Sequence, residues 1–373
     1  VITTKIGNGD GTTTVKVGVR HNISWIPNRL EVLGGYDYVK YRENHALAFD
    51  HYKVHTTTEN FAAVWGRSEE YKDMEGTSWQ DEVFTTANTT QLDLSMSGGS
   101  KESSFSFTAQ ALDQEGTVIT TGFKRLTTSL RLSHKINRKI EFSTRFNLGL
   151  SERNGANIRD TRGLTNMFTY QPVDPIYKDQ YDEQLLSAGL FDSDDPRFID
   201  PYTPVDRLRS NNSFLKSIPI GLNTDITYRF TSKFYLKSKF AYNANMFDQG
   251  RFFGAESREA MTSLDGISGS ITKGKNTTTT STSTLNYKNT LGIVKVTGLL
   301  GTEYQRKTIE KLTASAKQLP TDVFGLNNLG IGNTALGGEY RASKSLSFFS
   351  RLSLAVKDKY LFSGTYRVEG SSK

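Results

Sequence analysis

The side chains from Ile218 to Met246 alternate between two chemistries. Ile218, Ile220, Leu222, Ile226, Tyr228 and Phe230 share one parity; Pro219, Gly221, Asn223, Asp225, Thr227 and Arg229 share the other. After Thr231, Ser232 and Lys233 the alternation resumes, with Phe234, Leu236, Phe240, Tyr242 and Met246 set against Lys237, Lys239, Asn243 and Asn245. Successive side chains of a strand point to opposite faces, so this stretch predicts a hairpin with one apolar wall and one charged wall. Each run exceeds the usual globular strand of about five or six residues and approaches the roughly 9 to 11 that cross a bilayer. A large antiparallel sandwich alternates too, and this hairpin alone leaves both architectures open.

The same rhythm predicts eleven strands, at about 15–24, 89–97, 103–112, 123–134, 139–150, 213–230, 233–247, 277–289, 293–308, 342–356 and 360–368. From the second strand onward their connections run short, long, short, long, with the long ones at 113–122, 151–212, 248–276 and 309–341. A sandwich of Greek keys has no reason to gather its long connections at one end. An outer-membrane barrel does, since short periplasmic turns and long external loops are its normal form. The expected fold is therefore all-β, an antiparallel transmembrane β-barrel with long extracellular loops. Residues 25–88 lose the alternation, and Pro27–Asn44 and Ser68–Phe84 are expected as loop with short helical turns. Aromatics near strand ends, namely Tyr228, Phe230, Phe234, Tyr235, Tyr287, Tyr304 and Tyr360, suit interfacial girdles or an ordinary sheet.

Composition narrows the class. Of 373 residues 36% are hydrophobic and 23% charged, and the longest apolar run is Phe61–Trp65. A transmembrane helix needs about 20 apolar residues, so helical spans are excluded. The mean hydropathy of −0.49 says little against a barrel, whose strands are apolar at every second position only. Zero cysteines exclude a disulfide scaffold. The net charge of +7 comes without a dense Lys/Arg block, which argues against nucleic acid. The chain opens at Val1 without a signal region and stops at Lys373 inside a predicted strand, so it reads as a piece of a longer protein.

Specific motifs then stand out. Residues 98–136 carry a strand ending in SGG, a strand leading to LDQEG, and an F-K-R before the next strand; TSWQDEVFTTA spans 77–87 and DKYLFSGTYRVEGSSK spans 358–373. In that order these segments resemble TonB-dependent outer-membrane transporters of the SusC/RagA type, and VITTKIG at 1–7 is similar to the last strand of their plug domain. Val368 and Glu369 depart from the family's usual Arg and Asp. The resemblance implies about 11 of about 22 strands, with residues 1–11 as the C-terminal end of the plug and 12–373 as the N-terminal part of the barrel. It also implies energy from TonB and a SusD-like lipoprotein closing the outside over an oligosaccharide or peptide. A passive porin or an adhesin-like barrel is the alternative.

Candidate chemistry is sparse. His45, His51 and His55 lie near Asp50, with i, i+4 spacing but no HExxH motif; a polar loop is the simpler reading. Asp192, Asp194, Asp195 and Asp200 offer oxygen ligands for a structural calcium, without the EF-hand glycine; otherwise no cofactor is expected. GNGDG at 7–11 lacks the strand-to-helix setting of a phosphate loop. No nucleophile with a base is identifiable, so no enzyme is expected. Arg131, Glu141, Arg145, Asp225, Arg229, Lys237, Lys239 and Arg351 are expected on the lumen wall, where their net sign favours anionic solutes. Tyr170, Tyr177, Tyr181, Phe191, Phe198, Tyr202 and Phe252 are available in long loops to meet the lid or stack on a sugar, with lid contact preferred.

Overall fold

In a computed structural model, which describes residues 11–51, 68–74, 76–155, 167–173, 202–357 and 359–372, the alternating segments pair in chain order into one antiparallel sheet of eleven strands. They are β1 (Thr13–Ser24), β2 (Ala87–Gly99), β3 (Ser103–Glu115), β4 (Gly122–Lys135), β5 (Ile140–Asn154), β6 (Asn211–Arg229), β7 (Phe234–Phe253), β8 (Ser268–Leu291), β9 (Val294–Lys317), β10 (Asn333–Val356) and β11 (Tyr360–Ser371). Among the described residues no helix is long and apolar enough to cross a membrane.

The tight connections all lie at one end, and each is closed by a local device. The Asn137 carboxamide accepts from the backbone N–H groups of Lys139 (2.8 Å) and Ile140 (2.9 Å). The hydroxyls of Ser100 and Thr231 do the same for Glu102 and Ser103, and for Lys233 and Phe234. These side chains replace the ladder bonds that a reversing backbone loses. Between β8 and β9 the turn takes its positive φ (+59°) at Gly292, and between β10 and β11 Lys357 adopts φ 50°.

Register fixes the two faces. Outward rows are apolar, as in Leu94–Ala109–Thr128–Leu148–Ile220–Ala244, while neighbouring rows such as Ser129–Asn147–Gly221–Asn243–Thr278 are polar. Pro219 sits inside central β6, an unusual place for a residue that donates no ladder bond. Gly149 opposite accommodates it, since a Cβ there would come within 2.8 Å of the proline ring. Towards the outer end the outward face ends in a single row crossing six strands, Asp113–Lys124–Glu152–Lys216–Asp248–Lys273, alternating in sign at every step. Three ion pairs neutralise it: Asp113–Lys124 (3.1 Å), Glu152–Lys216 (3.4 Å) and Asp248–Lys273 (3.6 Å).

Two expectations are corrected. The segments 248–276 and 309–341 are largely strand: β7 runs on to Phe253, β8 begins at Ser268, β9 reaches Lys317 and β10 begins at Asn333. Strand this far from the tight turns meets water on both faces, so it has no apolar parity to reveal it. Likewise Gly35–His51 is a 17-residue helix, α1, rather than a loop with short turns. Its buried positions Gly35 and Val39 are four apart, a stripe too narrow to show against the β-favouring tyrosines around it.

Candidate functional site

The polar face is concave and holds an open trough of about 1000 Å³, lined from β1 round to β8. At its β1 side Asp93 accepts from Arg20 (2.9 Å), Gln110 (2.8 Å) and Gln91 (2.9 Å). Further round, Asn147 accepts from Ser129 (2.8 Å) and Asn245 from Ser217 (2.7 Å), beside Asn243, Asn276 and Thr278. Such a wall offers uncharged amide and hydroxyl groups to a solute at mid-height. None of these residues is among the lumen-wall candidates read from the sequence. Their parity was readable, but which residues meet across strands depends on register.

The eight lumen-wall candidates fall on this polar face by register, nearer the tight turns. Arg131 stands directly opposite Arg145. Glu141 pairs with Arg229 at 3.5 Å, and Asp225 lies 3.8 Å from Lys237 and 3.9 Å from Lys239. Arg351 faces Leu299 and Thr365 and makes no ion pair among the described residues. Of the proposed girdle aromatics, Phe234 and Tyr287 stack outward (4.6 Å), but Tyr235 turns inward beneath Arg229 (5.7 Å).

The outer ends of the strands carry two small apolar cores. In the first, Trp79, Val83, Val118, Met167, Val205 and Leu208 close together, joining the short helices α2 (Trp79–Val83) and α3 (Pro204–Ser210) to the β3–β4 connection. Thr203 and Asp206 cap α3 reciprocally. Tyr170 meets Trp79 edge-on (5.1 Å, 84°), and the Trp79 indole donates to the Gln171 carbonyl (2.8 Å). Next along, the Gln80 side chain clamps Leu30, accepting from its N–H (2.9 Å) and donating to its carbonyl (2.7 Å). Asp81 accepts from Ser78 (2.6 Å) and Arg29 (2.8 Å), which together hold its carboxyl below the usual range, Ser78 contributing most. On α3, burial pushes the Arg207 guanidinium down to about 10, and its Nε donates to the Tyr202 carbonyl (3.2 Å).

Phe252 sits in the second core, only 7% exposed, with Ala316, Leu319, Leu326 and Leu329 around it. Tyr170 thus packs against the first core, and Phe252, near the end of β7, packs in the second. Tyr177, Tyr181, Phe191 and Phe198, the aspartates 192, 194, 195 and 200, His55 and the plug segment 1–10 lie outside the described residues. So do the side chains of Asp50 and His51, whereas His45 is exposed on α1. Gly11, two residues before β1, donates to the Gly99 carbonyl (2.8 Å).

No family model matches the chain. TonB-dependent receptor P26 of Formosa agariphila is 24% identical over 390 residues, spanning 100% of this chain and 36% of that protein. TonB-dependent receptor SusC of Bacteroides thetaiotaomicron is 25% identical over 244 residues, 62% of this chain and 22% of SusC. The RagAB peptide transporter superposes with a TM-score of 0.73 at 17% identity, covering 99% of this chain and 43% of the RagAB chain.

This chain resembles a SusC-type TonB-dependent receptor. It spans about a third of the length of P26, and its sheet has the fold of part of the RagAB chain. These relatives are receptors and transporters rather than enzymes. The motifs that carry the SusC-like resemblance are structural. WQD anchors the β1–β2 connection through Trp79, Gln80 and Asp81. In LDQEG, Glu115 accepts from the Asn88 backbone (2.9 Å) and carboxamide (3.0 Å), and Gly116 leaves no room for a Cβ beside Thr121.

Proposed function

We propose that this chain is the leading part of the barrel of an outer-membrane importer driven by TonB, carrying a large nutrient with the help of a SusD-like surface lipoprotein. One observation supports the reading above the others: a sheet apolar outside and polar inside encloses an amide-lined trough, along a chain similar over its full length to TonB-dependent receptors. The cargo is an oligosaccharide or a peptide; RagAB is described as a peptide transporter. Residues 1–11 end the plug domain, and residues 12–373 begin the barrel. The charged lumen residues near the tight turns face the plug, and the neutral amides above them form the permeation wall. Tyr202 and the loop aromatics of 177–198 meet the lipoprotein lid in preference to the cargo. The work is transport without covalent chemistry or a cofactor.

The test is uptake by cells carrying the intact protein, with and without TonB, together with purification from outer membranes and identification of what accompanies it. Loss of uptake without TonB and recovery of a surface lipoprotein are expected. Uptake that survives TonB deletion, from a barrel recovered alone, would establish a passive porin instead.

A further inference from the structure

On the outward face, among the described residues, one pair of like charges stands apart from the ion-paired row. The row Asp113 to Lys273 alternates in sign and closes into three ion pairs. Three strands meet elsewhere in the row Thr279–Arg306–Lys344, where Arg306 of β9 stands directly opposite Lys344 of β10. Like charges directly opposite one another in a sheet destabilise it. Both side chains are exposed, and among the described residues neither makes an ion pair. The neighbouring outward positions supply hydroxyls rather than carboxylates: Thr279 and Ser281 on β8, and Tyr304 on β9.

The position of this pair along the strands is informative. Arg306 lies twelve residues after Val294, where β9 leaves its tight turn, and Lys344 lies twelve before Val356. At about 3.3 Å per residue and a tilt of about 40°, that is roughly 30 Å along the barrel axis, just past an apolar band about 25 Å tall. Glu152, in the neutralised row, lies the same distance from the start of β5 at Ile140. The pairs Asp113–Lys124 and Glu152–Lys216, and the Arg306–Lys344 pair, therefore mark the outer membrane–water boundary. At the first two the protein supplies its own counter-ions, and at the third the described residues supply none.

We infer that Arg306 and Lys344 seat the phosphate of an outer-leaflet glycolipid, with Tyr304 and Thr279 offering hydroxyls to its sugar. The inference rests on the outer-membrane reading above. An anion across the two cations removes their mutual repulsion through charge-assisted hydrogen bonds. A guanidinium presents a planar fork to phosphate and an ammonium adds a point charge.

The intact protein, extracted from outer membranes in mild detergent, is titrated by native mass spectrometry with phosphorylated lipid A and with the same lipid after phosphatase treatment. The wild type is expected to prefer the phosphorylated form by on the order of tenfold. The double variant R306Q/K344Q loses that preference, and the control E152Q/K216Q keeps it. Equal binding of the two lipids by the wild type, or an undiminished preference in R306Q/K344Q, overturns the seat. The wild-type comparison needs no variant, so it decides even if the substitutions block assembly. Uptake measured in parallel separates the two readings: import without phosphate preference refutes the seat alone, and phosphate preference without import refutes the importer alone.

Discussion

The Arg367 guanidinium reaches across β10 to Glu303 on β9, 3.1 Å away. It also donates to the Ser347 hydroxyl (2.9 Å), contacts Glu369 (3.2 Å) and lies 5.8 Å from the centre of the Phe349 ring. One side chain therefore ties three strands together on the polar face. Arg367→Ala is expected to lower the unfolding midpoint in detergent only slightly, because the pairs are partly solvated and exposed ion pairs contribute little each. Arg367→Lys recovers only part of this, since all three contacts are made by Nη2, at a reach the shorter lysine side chain does not match. Heat-modifiability on gels reports the change.

Beneath that guanidinium the Phe349 ring lies over Gly301, where a Cβ would run into the ring. The aromatic ring fills the gap that glycine leaves in the sheet. Gly301→Ala should therefore displace Phe349 and cost about 1 to 3 kcal/mol, as overpacking does. Gly298→Ala, on the same strand but 3.8 Å from its nearest neighbour, is expected to be nearly silent in the same unfolding assay.

Gln80 provides both hydrogen bonds of the Leu30 backbone. Gln80→Ala leaves that N–H and carbonyl without partners, costing about 1 to 3 kcal/mol. Because the contact ties a connection rather than the sheet, the loss should appear as faster proteolytic nicking between β1 and β2 while the barrel's unfolding midpoint stays nearly unchanged.

Asp81 makes the same anchor sensitive to acid. Its carboxyl is held below the usual range by Ser78 and Arg29, so its contribution is fully present above the unfolded carboxylate value of about 3.9. That contribution is lost as pH falls through the depressed folded value. Trp79 fluorescence between pH 6 and pH 2 should show the connection loosening at the acid end. Asp81→Asn should abolish that dependence and leave the weaker anchor at every pH. The effect is small, because the carboxylate is more than half exposed.

How much of this was legible in the sequence depended on what each residue faces. The eleven strands could be read because lipid on one side and water on the other force a two-residue rhythm, and Leu148 beside Asn147 shows it plainly. The outer ends of β8 and β9, 268–276 and 309–317, could not, since Lys275 and Glu310 on one face and Lys311 on the other all meet water. The WQDE motif was visible as a signature, but its role was not, for Gln80 grips Leu30 fifty residues away. The trough's asparagines shared a readable parity, yet only the register brings Asn243 beside Gly221. Phe252 looked available for contact because nothing local announces that Leu326 and Leu329 cover it.

The membrane orientation itself is open to direct test on two leucines of the same face. Leu300 on β9 lies six residues from its tight turn and is 61% exposed; Leu336 on β10 lies twenty residues from its own and is 80% exposed. At about 3.3 Å per residue and a tilt of about 40°, the first falls near the bilayer centre and the second well beyond it. Leu300→Arg should then cost about 2 to 4 kcal/mol and Leu336→Arg about 0 to 1, measured as folding equilibria in lipid vesicles. In a soluble sandwich with this face in water, both changes would place a charge in solvent at little cost. A steep difference between the two arginines therefore requires hydrocarbon at Leu300, and equal, small effects would remove the barrel reading altogether.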